Sequence, residues 1–279
     1  EELARERSDF EAWLADWTKV SASDRSRPYL GAAIAQTSIL NRIRALAEAG
    51  LSTDVQNEYQ QAFNAYNNDP RSLYALADVM NQIGWTPQSL NAAYQLLMIS
   101  PAPNAFQSPV FLQRMVYPFP YQDLIESASQ KDGIDPLLLV SLIRQESMFN
   151  THAHSSANAI GLTQFVPSTA QDLATSLGMT SFTLSDLYYP SVSIQLGAAY
   201  LSSQIKAFGG NPFLALAAYN AGAGNVDSWL SDNPRHDLDL FVQEIPFSET
   251  REYVQNIYRF YAEYQFLYRS PSPSVGEGG

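Results

Sequence analysis

One carboxyl in this sequence has a setting suited to acid chemistry. Asp135-Pro136 reads as a helix start, with an acidic N-cap and a proline at the first helical position. The run Leu137 to Phe149 follows, and within it Leu139, Leu142, Ile143 and Glu146 fall at i, i+3, i+4 and i+7. That spacing puts the Glu146 carboxyl on the face that carries core-facing leucines. A carboxyl on an apolar stripe is costly while ionised, so desolvation raises its pKa. Such a group stays protonated near neutral pH and can hand a proton to a leaving group. The other reading is a buried glutamate whose hydrogen bonds only fix packing, and the helix alone does not separate the two. From Ser147 to Gln171 there is no Asp, Glu, Lys or Arg. The stretch Ser155 to Ala170 is small, polar and neutral, as suits backbone approach to a ligand rich in hydroxyl and amide groups. An ordinary Ser/Gly loop has the same composition.

Other chemistries find little support. There is no cysteine, which excludes disulfides and thiolate metal sites. Of the three histidines, His152 and His154 are two apart and read as exposed loop residues, so no metal site is expected. The net charge is −12, and residues 121–279 hold 16 acids against 7 bases. A chain this acidic, without basic clusters, suits neither nucleic acid nor an anionic membrane surface. No apolar run is long enough to span a bilayer. Charged residues are only 16% of the chain, so many surface positions fall to Ser, Asn, Gln, Thr and Tyr, a composition fitted to neutral polar polymers.

The elements that must position Glu146 are helices. Apolar residues recur at three- and four-residue spacing, as in Ile39, Ile43 and Leu46, or Leu73, Leu76, Met80 and Ile83. Gly84-Trp85-Thr86-Pro87 reads as a helix stop, a turn and a proline at the next helix start. No strand-like alternation appears, so the expected class is all-α. Residues 1–118 read as a helical-hairpin array of superhelical, repeat-like type without a clean period. Prolines 101, 103, 109, 118 and 120 mark a boundary, and residues 119–270 form a second helical domain. Residues 271–279 read as a disordered Pro/Ser/Gly tail.

The segment Arg144-Gln-Glu-Ser-Met-Phe149, then Ser155, Gly161-Leu-Thr-Gln164 and Pro167-Ser-Thr-Ala170, resembles the catalytic signature of lytic transglycosylases of the soluble (SLT) type. Ala218-Tyr-Asn-Ala-Gly222 with Val226 and Trp229 is similar to that family's second motif, and Ile245 to Val254 to its third. The lead-in Tyr121 to Ile125 is similar too, and the resemblance spans about residues 117–268. It implies a lysozyme-like α-helical catalytic domain preceded by a helical scaffold. It also implies cleavage of the β-1,4 bond between N-acetylmuramic acid and N-acetylglucosamine in peptidoglycan, leaving a 1,6-anhydromuramic end. No cofactor is implied. The partner would be glycan strands, and the place of action extracytoplasmic.

Carried over residue by residue, the resemblance makes Glu146 the single acid/base. Ser155 matches a serine hydrogen-bonded near the catalytic glutamate, and Gln164 a substrate-contacting glutamine. Tyr219 matches a tyrosine that orients the acetamido group, or else is a core tyrosine at a helix end. Asn220 is a groove asparagine or a cap for the turn before Gly222. Glu249 is a sugar contact, or else a first-turn carboxylate meeting a helix dipole. Tyr253, Tyr258, Phe260, Tyr261, Tyr264, Phe266 and Tyr268 read as core packing. The sequence departs from the family pattern at Thr163 (usually Met), Asn158 (usually Gly) and Val166 (usually Met), all expected on the groove walls. A goose-type-like lysozyme that hydrolyses the same bond, and a non-catalytic peptidoglycan-binding scaffold, are the alternatives.

Overall fold

The computed structural model describes residues 1–19, 37–232 and 238–269. The chain divides into two compact units, Glu1–Pro118 and Phe119–Gly279. The tail expected to be disordered, residues 271–279, lies outside the described residues. Among those described, regular structure is helical, and the only β pairing is two isolated bridges, His154 with Ile160 and Ile160 with Phe165.

In the first unit, α1 (Glu2–Trp17), α2 (Ser38–Glu48), α3 (Ser52–Tyr66), α4 (Pro70–Gln82), α5 (Thr86–Ile99) and α6 (Val110–Val116) follow one another. Neighbours in sequence pack as hairpins, α2 on α3, α4 on α5 and α5 on α6. The punctuation is chemical. The Asp69 side chain caps α4 and Pro70 supplies its first position. Gly84, at φ +78°, ends the following turn, and Trp85 then leads into α5. Helix α4 is buried from Ser72 through Met80 and forms the centre of this unit. Helix α1 closes on it through Phe10, whose ring meets Tyr74 edge-on at 4.9 Å, and through the Arg7–Asp78 ion pair at 2.8 Å. Arg114 of α6 holds Glu6 of α1 at 2.7 Å.

The second unit runs α7 (Gln122–Asp132), α8 (Pro136–Ser147), α9 (Pro167–Ser176), a 3-10 turn (Leu184–Tyr188), α10 (Pro190–Ala207), α11 (Pro212–Ala221), α12 (Ala223–Asp232), α13 (Leu238–Glu244) and α14 (Ser248–Arg269). Prolines 136, 167, 190 and 212 each open a helix, where the missing N–H costs nothing and φ is already helical. Helix α8 is the axle, packed by α7, α10 and α14. Every residue from Leu137 to Arg144 is buried, so α8 has no solvent face. Its N-cap is heavily tied. Asp135 accepts from the Leu137 N–H at 2.9 Å and from the Tyr261 hydroxyl at 2.5 Å, and it pairs with Arg269. Those bonds fix the far end of α14 to the start of α8.

Candidate active site

Helix α8 delivers Glu146 in its last turn. The axle then stops abruptly. Met148 and Phe149 both take left-handed backbone conformations, at φ +52° and +66°, and turn the chain into the loop that precedes α9. The Ser147 hydroxyl bridges to the Leu162 carbonyl at 2.9 Å, tying helix end to loop. Glu146 thus sits where the buried helix meets a cleft of about 620 Å³. Its placement at the end of the axle matters more than its face, because α8 is buried on all sides.

The loop between α8 and α9 builds one wall. Gly161 adopts φ +79°, and a Cβ there would lie 2.2 Å from the Leu187 backbone oxygen, so only glycine fits. The Ser155 hydroxyl accepts the Ala159 and Ala157 amides at 3.0 and 3.2 Å. The Gln164 amide nitrogen donates to the Gly161 and Ala153 carbonyls at 2.8 and 3.3 Å. Helix α11 supplies Tyr219 and Asn220, and α14 supplies Glu249, Glu252, Tyr253 and Asn256.

The structure brings all six expected site residues to this cleft: Glu146, Ser155, Gln164, Tyr219, Asn220 and Glu249. Their bonds differ from the expectation in places. The Tyr253 hydroxyl donates to Glu146 Oε1 at 2.5 Å, and the bonds of the Ser155 hydroxyl stay within its own loop. Asn220 does not cap the turn before Gly222. Its Oδ1 accepts from the Thr250 hydroxyl at 2.6 Å and joins α11 to the first turn of α14. Tyr219 donates to the Thr163 carbonyl at 3.0 Å and packs against Phe165 and Tyr200. Glu249 is both a first-turn carboxylate and a cleft residue.

The electrostatics favour a protonated Glu146. Burial pushes its carboxyl up from the ordinary 4.5 to about 7. The Tyr253 hydrogen bond pulls the other way by stabilising the charged form, and the nearby Glu249 charge adds to the rise. At neutral pH the group is close to half protonated, poised to give a proton and to take one back. Burial first, and then the Glu146 charge, hold Tyr219 and Tyr253 well above the ordinary phenol value. Both tyrosines therefore act as neutral hydroxyls.

Four further cleft side chains have no site role in the sequence reading: Tyr200, Glu252, Tyr253 and Asn256. By sequence Tyr253 reads as a packing aromatic, and it is indeed only 4% exposed. A signal was present. Glu249, Glu252, Tyr253 and Asn256 fall at i, i+3, i+4 and i+7, and so share one face of their helix. The remaining aromatics divide. Tyr264 is buried, Tyr258 stacks on Phe213 at 3.6 Å, and Phe266 is exposed. Of the three departures expected on the groove walls, only Val166 lines the cleft. Thr163 is fully buried beneath it. Asn158 lies in an exposed turn at φ +63°, a conformation glycine and asparagine both tolerate, which accounts for the exchange. Among the described residues, no group of three or more His, Cys, Asp or Glu is arranged to hold a metal ion.

Comparisons with known proteins find similar sequences and structures. Residues 123–241 match the Transglycosylase SLT domain family. The soluble lytic murein transglycosylase of Escherichia coli K12 is 35% identical over 153 residues, covering 54% of this chain and 24% of that protein. Membrane-bound lytic murein transglycosylase C of Haemophilus influenzae is 37% identical over 148 residues, covering 50% of this chain and 39% of that protein. The chain thus spans about a quarter of the length of the soluble relative. The crystal structure of an inactive Glu-to-Gln variant of the lytic transglycosylase Slt from Pseudomonas aeruginosa superposes with a TM-score of 0.73 at 27% identity, covering 93% of this chain and 41% of that one. By motif, sequence match and backbone alike, the second unit is similar to the transglycosylase SLT domain of soluble lytic transglycosylases.

Proposed function

We propose that this protein cleaves the β-1,4 bond between N-acetylmuramic acid and N-acetylglucosamine in peptidoglycan and leaves a 1,6-anhydromuramic end. The observation that carries the reading is Glu146, seated at the cleft with its carboxyl raised to about 7. Protonated Glu146 gives its proton to the glycosidic oxygen as the bond to the anomeric carbon breaks. The substrate's own acetamido oxygen attacks that carbon and forms an oxazolinium ion. Glu146, now ionised, takes the proton of the muramic 6-hydroxyl, whose oxygen displaces the acetamido oxygen and closes the anhydro ring. No water is consumed. The attacking hydroxyl is tethered to the ring it attacks, so the step gains from effective molarity.

The other cleft residues are assigned by what their bonds leave available. Tyr219 donates its hydroxyl hydrogen bond to the Thr163 carbonyl and offers oxygen lone pairs, suited to an acetamido N–H. Ser155 accepts two amides and keeps its proton for a sugar oxygen. Gln164 spends its NH2 on the loop and presents its carbonyl. Asn220 presents its NH2. Glu249 accepts sugar hydroxyls and, through its charge, keeps Glu146 protonated. Tyr253 aims the Glu146 carboxyl.

Residues 119–270 are assigned as the catalytic domain and residues 1–118 as an accessory helical scaffold. The substrate polymer places the protein outside the cytoplasm, in contact with glycan strands. No described helix is long and apolar enough to cross a membrane. The test is digestion of purified sacculi followed by mass analysis. Anhydro ends, one water lighter than hydrolysis products, are expected. Free reducing ends would instead indicate a hydrolase, with Glu249 or Glu252 steering a water. Binding without cleavage would indicate a scaffold.

A further inference from the structure

Beneath the cleft lies a small buried polar device that no catalytic residue belongs to. The Thr163 hydroxyl donates to the Ser193 carbonyl at 3.0 Å and lies 3.0 Å from the Ser193 hydroxyl. The Thr163 N–H donates to the same Ser193 hydroxyl at 3.2 Å. Both residues have no exposed surface. The Thr163 methyl is seated against Gly197, one turn further along α10, where a Cβ would lie 2.5 Å from it. Three hydrogen bonds and a glycine-shaped socket therefore fix one loop residue to α10. That residue's carbonyl is the acceptor for the Tyr219 hydroxyl.

Polar groups are costly to bury and gain little net stability when satisfied, so three bonds on one loop residue are a dear way to hold a loop that an apolar side chain could hold by packing. What the device does supply is direction. The two bonds at Thr163 Oγ1 and the one from its N–H fix the side chain and the peptide before it, the Gln164 N–H donates to the Gly161 carbonyl at 3.3 Å and holds the peptide after it, and the Thr163 carbonyl sets where the Tyr219 oxygen points. We propose that the Thr163–Ser193 latch, seated on Gly197, is a positioning device that aims the Tyr219 hydroxyl into the cleft. Thr163 and Ser193 touch no substrate and act through Tyr219. The inference rests on the transglycosylase reading for its kinetic readout but not for its spectroscopic one.

The test uses the full chain with Thr163→Val, Thr163→Ser, Tyr219→Phe and the Thr163→Val/Tyr219→Phe pair. Valine keeps the methyl in its socket and removes the hydroxyl, while serine keeps the hydroxyl. On sacculi, Thr163→Val is expected to lower kcat by about tenfold with KM within about twofold, a loss comparable to one well-made hydrogen bond. Thr163→Ser is expected to stay within about twofold of wild type. In the Tyr219→Phe background, adding Thr163→Val should cost less than about twofold, because the group it positions is gone. Equal losses in both backgrounds would overturn the proposal, as would an unchanged kcat in Thr163→Val. NMR of the Tyr219 hydroxyl proton, assigned by its loss in Tyr219→Phe, needs no turnover. The latch requires this signal to shift in Thr163→Val and to stay in place in Thr163→Ser, and an unmoved signal in Thr163→Val contradicts it. A wild-type protein that leaves sacculi uncut while the signal shifts would defeat the transglycosylase reading and leave the latch standing.

Discussion

Replacing Glu146 by Gln should stabilise the protein at alkaline pH and leave its stability unchanged at acid pH. The carboxyl has an ordinary value of 4.5 and rises to about 7 in the folded chain. Between those values the folded state binds more protons than the unfolded one, so stability falls as pH rises through that window. Below 4.5 both states are protonated and the penalty is absent, and above 7 it is fully present. A gap of roughly 2.5 units at about 1.36 kcal/mol each is about 3 kcal/mol. Glutamine cannot ionise, keeps the shape and still accepts the Tyr253 hydroxyl, so the variant escapes that cost. For a unit of roughly 150 residues, about 3 kcal/mol corresponds to a rise in Tm of about 6–12 °C. Thermal unfolding followed by circular dichroism at about pH 4 and about pH 8 reads the effect directly. The difference between variant and wild type should be near zero at the lower pH and reach several degrees at the higher one. A difference independent of pH, or a variant less stable at about pH 8, would refute the argument that burial holds this carboxyl above its ordinary range.

The same electrostatics give further expectations. Turnover needs Glu146 protonated first, so kcat/KM should fall as pH rises through about 7. Glu249→Gln removes a like charge and should move that alkaline limb to lower pH, seen in a pH–rate profile. Tyr253→Phe removes a bond that favours the ionised form, so its limb should move to higher pH while the maximal rate drops about tenfold or more. Gly161→Ala would push a Cβ to within 2.2 Å of the Leu187 oxygen, and should cost a few kcal/mol in denaturant unfolding.

Much of the second unit was legible in the sequence because its signals are local. Asp135-Pro136 caps α8 through bonds to the next residues in the chain, and the motif residues Glu146, Ser155, Gln164, Tyr219, Asn220 and Glu249 all reach one cleft. An apolar stripe does not single out Glu146, because Leu137, Leu138 and Val140 are buried as well. Its access to the cleft comes from its place at the end of the axle. What stayed hidden depends on contacts far apart in sequence. Tyr253 looks like any aromatic in its helix until α14 folds back on α8, and Thr163 looks like a groove wall until Ser193 reaches it from α10. In the first unit, periodicity identified α4 and its Gly84 stop, but not that Phe10 would pack on Tyr74 across the intervening helices.

The central claim is that Glu146 serves first as proton donor and then as acceptor for an internal hydroxyl, with water taking no part. Digestion of sacculi in heavy-oxygen water tests it most directly. The mechanism requires anhydromuramic ends that carry no label, formed by the wild type and not by Glu146→Gln. Label built into newly formed reducing ends, or product formation that survives the Glu146→Gln change, would contradict it.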